Sequence, residues 1–364
     1  MAHSPYTDQG VAVGRTVLRN VRVFDGQELT GRRAVVIDGG VIGTEAGPDA
    51  QEVDCDGAVL LPGLIDTHAH LMGHESLKRM AAWGVTTCLE MADLPAEPRD
   101  MPGTTSVRGT GTPVIGPGGV HARIPGMARR AVVRGPRRAG RFVARRVAEG
   151  ADFIKIIVEG PGEGGPDLPT IEAVVAAAHA HGRKVIAHAS THGAYRTITG
   201  IDADIVTHVP LGPPLEDDVV TCLARADRVV VPTLTMMKGC AEVYHVGEAF
   251  AGASQSVGAL YRAGVPVLAG TDANSQTGVP FHPPHGESLH DELELLVDAG
   301  LTTVDALRAA TCLPARHFGL PDRGAVTPGL RADLVLIDGD PLDDIRATRR
   351  IRQVWCAGVE HPTV

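Results

Sequence analysis

Two rhythms of apolar and polar residues succeed one another along the chain. From Thr16 to Leu61 apolar residues come in short runs broken by turn residues. Val17-Leu18-Arg19-Asn20-Val21-Arg22-Val23-Phe24 precedes Asp25-Gly26, Ala34-Val35-Val36-Ile37 precedes Asp38-Gly39-Gly40, and Ala58-Val59-Leu60-Leu61 precedes Pro62. Such runs predict a small antiparallel β unit. After Pro62 strand-like and helix-like stretches alternate. The strand-like runs are Leu64–Thr67, Val85–Leu89, Pro113–Ile115, Phe153–Val158, Lys184–Ala187, Asp204–Thr207, Arg228–Val231 and Val265–Ala269. Between them, Ile171, Val174, Val175 and Ala178 recur at helical spacing, and Gly182 can end that helix. Ser288 with Asp291 resembles a capping box, and Leu289, Leu293 and Leu296 form the buried stripe that follows, before Gly300.

About eight strands alternating with helices predict an α/β fold of the (β/α)8 TIM-barrel type. The alternative is an open doubly wound sheet, but no Gly-x-Gly-x-x-Gly follows an early strand to make it a dinucleotide fold. Near the C-terminus the text returns to strands, Asp333–Gly339 and Arg352–Gly358, akin to those before Pro62. The two chain ends are therefore expected to share one sheet-rich domain. The expected division is 1–62 and 326–364 for that domain and 63–325 for the barrel. Residues 1–15 read as a loose tail. The Pro-, Gly- and Thr-rich stretch from Glu90 to about Pro136 reads as long loops over the barrel mouth. Arginines crowd the text between Arg123 and Arg146. They read as a solvated helix face, or as a contact to an anionic substrate group or a neighbouring subunit.

Length agrees with this division, since 364 residues suit one barrel of roughly 250 plus a smaller module. With 43% hydrophobic and 21% charged residues the composition is that of a globular protein. A net charge of -9 argues against a nucleic-acid partner. No apolar run is long enough to span a membrane, and the first residues lack the basic and apolar segments of a secretory signal. The six cysteines are scattered without a Cys-x-x-Cys pair, so free thiols in the cytoplasm are expected. The expected partners are a small-molecule substrate and, in a homo-oligomer, further copies of the chain.

Candidate chemistry begins at His68-Ala69-His70, just past the strand-like Leu64-Ile65. Residues two apart on an extended backbone face the same side, so both imidazoles can reach one metal ion. Two surface histidines would look the same in isolation. Further candidates, however, close other strands: His188 after Val185-Ile186-Ala187, His208 after Ile205-Val206-Thr207, and Asp272 after Ala269-Gly270-Thr271. In a barrel all of these land on one rim. Asp272 could instead cap a helix. Lys155 lies among isoleucines and valines, where an ammonium must snorkel or find a partner. Nearby cations would favour the neutral amine, which can add carbon dioxide to give a carbamate able to bridge two metals.

These motifs resemble the amidohydrolase superfamily, and within it the imidazolonepropionase-like and Xaa-Pro dipeptidase (prolidase) branch. The resemblance rests on Leu61–His70, Gly84-Val85-Thr86-Thr87, Ala151-Asp152-Phe153-Ile154-Lys155-Ile156, Gly270-Thr271-Asp272 and Thr327–Val335. It implies that His68, His70, the carbamate of Lys155 and Asp272 hold one divalent ion, zinc being the first expectation. The same carbamate with His188 and His208 would hold a second. It also implies that the two chain ends form an accessory β-sandwich. Relatives of the branch often place a tyrosine where this chain has Ser190, and a substrate-contacting histidine where it has His121. Ser190 and His121 are thus candidate substrate contacts, and the lost tyrosine argues against simple Xaa-Pro dipeptides. His282, His285 and His290 could line the mouth or serve structure alone.

The resulting expectation is a binuclear metal-dependent hydrolase. A metal-bridging hydroxide would cleave the amide bond of a small N-acyl amino acid or dipeptide-like compound, with Asp272 moving the proton. The rivals are a mononuclear deaminase or cyclic amidase, a lactonase or other esterase, and a catalytically silent scaffold.

Overall fold

The computed structural model describes residues 14–94, 99–124 and 127–362. All but the last two residues of the expected N-terminal tail lie outside them. In chain order the strands are β1 (Arg15–Val23), β2 (Arg33–Asp38), β3 (Val41–Gly43), β4 (Gln51–Asp54), β5 (Val59–Pro62), β6 (Leu64–Ala69), β7 (Val85–Glu90) and β8 (Ser106–Gly109). They continue as β9 (Ile154–Ile157), β10 (Val185–His188), β11 (Ile205–Thr207), β12 (Val229–Val231), β13 (Leu334–Ile337), β14 (Ile351–Cys356) and β15 (Val359–His361).

Both chain ends meet in one eight-stranded sheet, ordered β15-β14-β13-β5-β1-β2-β3, with β4 paired to β1. It encloses a core of its own from Leu18, Val35, Ile37, Leu60, Leu334 and Trp355. The pairing of β13 with β5 is the junction of the two ends, in register from Leu334↔Pro62 to Ile337↔Val59. One residue later the chain enters the parallel strands. A Cβ on Gly63 would stand 2.0 Å from Thr86 Oγ1, so only glycine fits this passage, and its N–H donates to Asp333 O at 2.7 Å.

The strands from β6 to β12 run parallel, as β6-β7-β8 and β12-β11-β10-β9. Single parallel bridges link their edges in turn: Val114↔Ile156, Val230↔Val267 and Ala69↔Ala273. Strands β6, β7 and β9 are buried on both faces, so the polar residues they carry, among them Asp66, His68, Glu90 and Lys155, are buried too. The helices pack outside. One of them, Leu168–Ala180, buries Ile171, Val174, Val175 and Ala178 as their spacing predicted, and Gly182 follows with φ 65°.

Three local expectations are corrected. The third strand is Ser106–Gly109, and Pro113–Ile115 contributes only bridges. Residues Val265–Ala269 form no strand. Pro266 has no N–H to give, and the segment makes single bonds, Val230 N to Pro266 O and Leu268 N to Val230 O, both 2.9 Å. The expected capping box is absent as well. The helix Glu287–Asp298 starts after Gly286 without a side-chain cap, Ser288 is buried inside its first turn, and Asp291 pairs with Arg349.

The stretch after Glu90 holds β8, a short 3-10 turn (Val120–Arg123) and the helix Met127–Ala131 among its described residues. Most of the clustered arginines are exposed; Arg146 is buried, pairing with Glu149 and covering the Phe142 ring. All six cysteines are free thiols. No helix among the described residues is long and apolar enough to cross a membrane.

Candidate metal centre

The structure brings the six expected ligand residues together at the C-terminal ends of the parallel strands. His68 and His70 leave β6 on one side, their ring centroids 5.6 Å apart. His208, just after β11, lies 4.8 Å from His68 and 4.5 Å from His188, which ends β10. Asp272 Oδ1 is 3.1 Å from His70 Nε2 and 3.5 Å from His68 Nε2. Potential ligand atoms of His68, His208 and Asp272 all lie within 4.8 Å of one another. Lys155 is buried in β9, its Nζ donating to Thr207 Oγ1 at 2.9 Å.

Asp272 caps no helix, since the next helix begins at Glu287. It has φ 58°, and His208 has φ 72°. A third unusual backbone lies behind them at Thr233, a buried β-branched residue with φ 50°. Non-glycine residues in this region carry strain of about 1–3 kcal/mol each and persist only where the surroundings impose them. At Thr233 the conformation brings Oγ1 within 2.7 Å of His208 Nδ1.

The electrostatics fit a bound cation. Burial drives His68 and His188 well below the ordinary imidazole value and His208 to about 3, so all three are neutral and able to ligate. Burial also pulls Lys155 to about 7 against the attraction of Asp272, which favours the free amine near neutral pH. His70 differs. Burial would lower it, but Asp272 and Glu90 outweigh burial and raise it to about 9. Asp272, half-buried at the cavity, is held below the usual carboxylate value chiefly by His70, against the desolvation that would raise it. A proton on His70 thus neutralises Asp272, a task a divalent ion at the same point would take over. The nitrogens that face Asp272 are Nε2 of both histidines, while their Nδ1 atoms are buried without a close hydrogen-bond partner, that of His70 turned towards Glu90.

Several supporting groups escaped the sequence reading. Asp66 accepts from His68 N and Thr271 N, both at 3.1 Å, and from Thr271 Oγ1 at 2.6 Å, tying the first ligand strand to the Asp272 segment. Glu90 ends β7, accepts from Leu71, Ala92 and Asp93 N–H groups, and lies 3.7 Å from His70 Nδ1. An acid closing an apolar strand on the same rim was the available signal. Glu159, after β9, is 3.8 Å from His121 Nδ1, and His121 in turn stacks edge-on at 5.0 Å from His188.

The expected substrate contacts line the same cavity as the ligands. Its volume is about 520 Å³ and both His121 and Ser190 face it. Ser190 Oγ is 3.1 Å from His188 Nε2. The other three histidines divide. His285 Nε2 donates to His70 O at 2.9 Å, and His282 Nδ1 pairs with Asn274 Oδ1 at 2.9 Å. His290 is structural: its Nε2 donates to Trp83 O at 3.0 Å and its Nδ1 meets Thr348 Oγ1 at 2.9 Å.

A histidine–carboxylate cluster on the strand ends of such an α/β fold defines a metal-binding hydrolase. The family model described as "Amidohydrolase family" matches residues 59–360. The chain belongs to that family. It is 28% identical over 366 residues to an uncharacterized protein of Mycobacterium tuberculosis, covering 90% of this chain and 91% of the other. It is 27% identical over 356 residues to an adenine deaminase of a Ruegeria species, covering 91% of this chain and 55% of that one. Among solved structures it resembles a Xaa-Pro dipeptidase with bound methionine in the active site, with a TM-score of 0.78 at 22% identity, covering 96% of this chain and all of the other.

Proposed function

We propose that the chain hydrolyses the carbon–nitrogen bond of a small amide with two divalent ions. The expected substrates are small N-acyl compounds; residue order alone suggests N-acyl amino acids, dipeptide-like compounds and bulkier N-acyl relatives, a range that the cavity walls narrow. The observation that carries this reading is the cluster of His68, His208 and Asp272, with His70, Lys155 and His188 lining the same cavity of substrate size. His68, His70 and Asp272 would hold one ion, and His188 and His208 the other. Lys155 as its carbamate would serve both, and zinc suits the imidazole-rich set. When bound, the ions supply Lewis acidity towards the carbonyl and lower the pKa of water towards 7.

The chain's own residues do the rest. Asp272, ionised and facing the cavity, takes the proton of the attacking water and returns it to the leaving nitrogen. His121, fixed by Glu159, borders the reacting centre on the side of His188. We also propose that segments 1–62 and 326–364 act as one accessory unit around the barrel of 63–325.

A second reading has its own support. The tightest trio, His68, His208 and Asp272, mixes the two expected ligand sets and could serve a single ion. The chain would then be a mononuclear deaminase or cyclic amidase with an unmodified Lys155. Elemental analysis of protein loaded with zinc in bicarbonate decides between them. Two ions per active chain support the binuclear amidase; one ion with full activity overturns it.

A further inference from the structure

We propose that the cavity beside the metal centre accepts an uncharged, apolar amide, and excludes compounds bearing a free carboxylate next to the scissile nitrogen. The proposal rests on the hydrolase reading for what happens to that compound, but the selection itself is a property of the walls.

The first observation is what the walls are made of. Four of the chain's eight methionines, Met91, Met127, Met236 and Met237, line this one cavity. Met91, Met236 and Met237 are themselves buried, so they belong to the built wall and not to a mobile surface. Ile157 and Leu211 complete the apolar side. Unbranched thioethers adapt to the shape of an apolar group and make good contacts with aromatic rings. The methionine wall is also anchored from behind. Met236 and Met237 sit in the first turns of the helix Leu234–Val243. The buried Glu292 accepts the N–H groups of Leu234 at 3.0 Å and Thr235 at 2.7 Å, which fixes that helix end.

The second observation is what the walls lack. Among the described residues that line the cavity there is no arginine, and the single lysine is Lys155, at the metal centre and bonded to Thr207. Carboxylate recognition ordinarily uses a guanidinium fork or an ammonium. The imidazole of His121 already faces a carboxylate, Glu159, at 3.8 Å. Ser190, Asn274 and Gln276 offer a hydroxyl and two amides. His192 keeps one buried ring nitrogen, Nε2, without a partner, which is suited to a single hydrogen bond from or to an amide. A substrate carboxylate held against these walls, away from the metal centre, would exchange water for methionine sulfur and hydrocarbon, with Glu159 near by and no arginine or lysine to compensate. A neutral amide loses little on entry and gains apolar contact.

The test uses the full-length protein loaded with zinc and two compounds that differ only in one group: N-(phenylacetyl)pyrrolidine and N-(phenylacetyl)-L-proline. Binding is measured by calorimetry and turnover by release of phenylacetate. The expected result is a Kd at least about tenfold lower for the pyrrolidine amide, with kcat/KM in the same order. A Val279→Arg variant places a guanidinium on the cavity lining at a half-buried residue that is not one of the candidate metal ligands. It should shrink or reverse that ratio. Equal or tighter binding of the proline compound by the wild-type protein would overturn the proposal, as would a Val279→Arg variant that folds normally and leaves the ratio untouched. If the neutral amide binds preferentially yet neither compound is cleaved, the selectivity stands and the amidase reading falls.

Discussion

Thr233 offers the sharpest test of the metal centre, because its strain and its hydrogen bond can be separated by substitution. Its Oγ1 lies 2.7 Å from His208 Nδ1, and its φ of 50° is a conformation that β-branched residues avoid. A ligating imidazole ordinarily anchors its other nitrogen on such a partner, and losing it costs about 10–100-fold in metal affinity. Thr233→Val keeps the shape and the strained backbone and removes only the hydroxyl. It leaves a buried ring nitrogen unpaired, at about 1–3 kcal/mol. We expect a lower melting temperature and a zinc affinity reduced by the full factor. Thr233→Ser keeps the hydroxyl and should hold zinc like the wild type. Thr233→Gly releases about 1–3 kcal/mol of strain but adds up to about 1 kcal/mol of chain entropy and deletes a buried methyl. Its melting temperature should therefore stay near the wild-type value while zinc affinity falls. Competition against a chelator of known affinity, with thermal melts with and without zinc, supplies both readouts. Wild-type zinc affinity in Thr233→Val would refute the assignment of His208 as a ligand held by Thr233.

The other predictions concern three residues. Asp272→Asn should retain the fold and most of the metal while kcat drops by about 10²–10⁴-fold; near-normal kcat at full metal content would remove Asp272 from proton transfer. Lys155→Ala should lower the zinc content from two ions towards one, as should loading the wild-type protein without bicarbonate, and unchanged stoichiometry in both would exclude a carbamate. His290 is buried and neutral, its pKa driven to about 4 by burial, against about 6.5 when unfolded. Its contribution to stability is complete above pH 6.5 and is lost as pH falls towards 4, by roughly 3 kcal/mol. Denaturant titrations from pH 7 to pH 4 should therefore show a shallower loss of stability in His290→Gln than in the wild type; parallel curves would show that His290 does not govern the acid limb.

Most of the candidate cluster was legible because His68, His70, His188 and His208 come at the ends of apolar stretches, and such a stretch marks a strand whose end faces the rim. Asp272 follows an apolar run that is not a strand, and Lys155 was singled out as a charge inside one. The strand-end logic would have reached Glu90 too, had it been applied to acids as well as histidines. It could not reach Thr233, whose relevance lies in a backbone angle, nor Glu159, whose contact with His121 depends on two loops meeting. The third and eighth strands were misplaced for a related reason. Pro113 and Pro266 sit in apolar runs that look like strands, yet each lacks the N–H that a ladder needs. The capping box failed because Gly286 with φ 85° starts the helix one residue before the serine.

The junction at Gly63 has a consequence for how the protein is made. Strand β6, which carries His68 and leads into His70, follows directly on β5, and β5 lies between β1, made just before it, and β13, near the other end of the chain. During synthesis β1 and β7 are therefore available to β5 and β6 early, while the second edge of β5 waits for β13. Until β13 arrives, the apolar edge of β5 is open to the wrong partners, and the loop to be closed spans most of the sequence. The parallel strands pair with near neighbours in sequence and suit the usual order, in which earlier segments fold while later ones are made; the β5–β13 pairing does not. The strand that leads into His68 is thus flanked on its β5 side by an edge that only the far end of the chain covers.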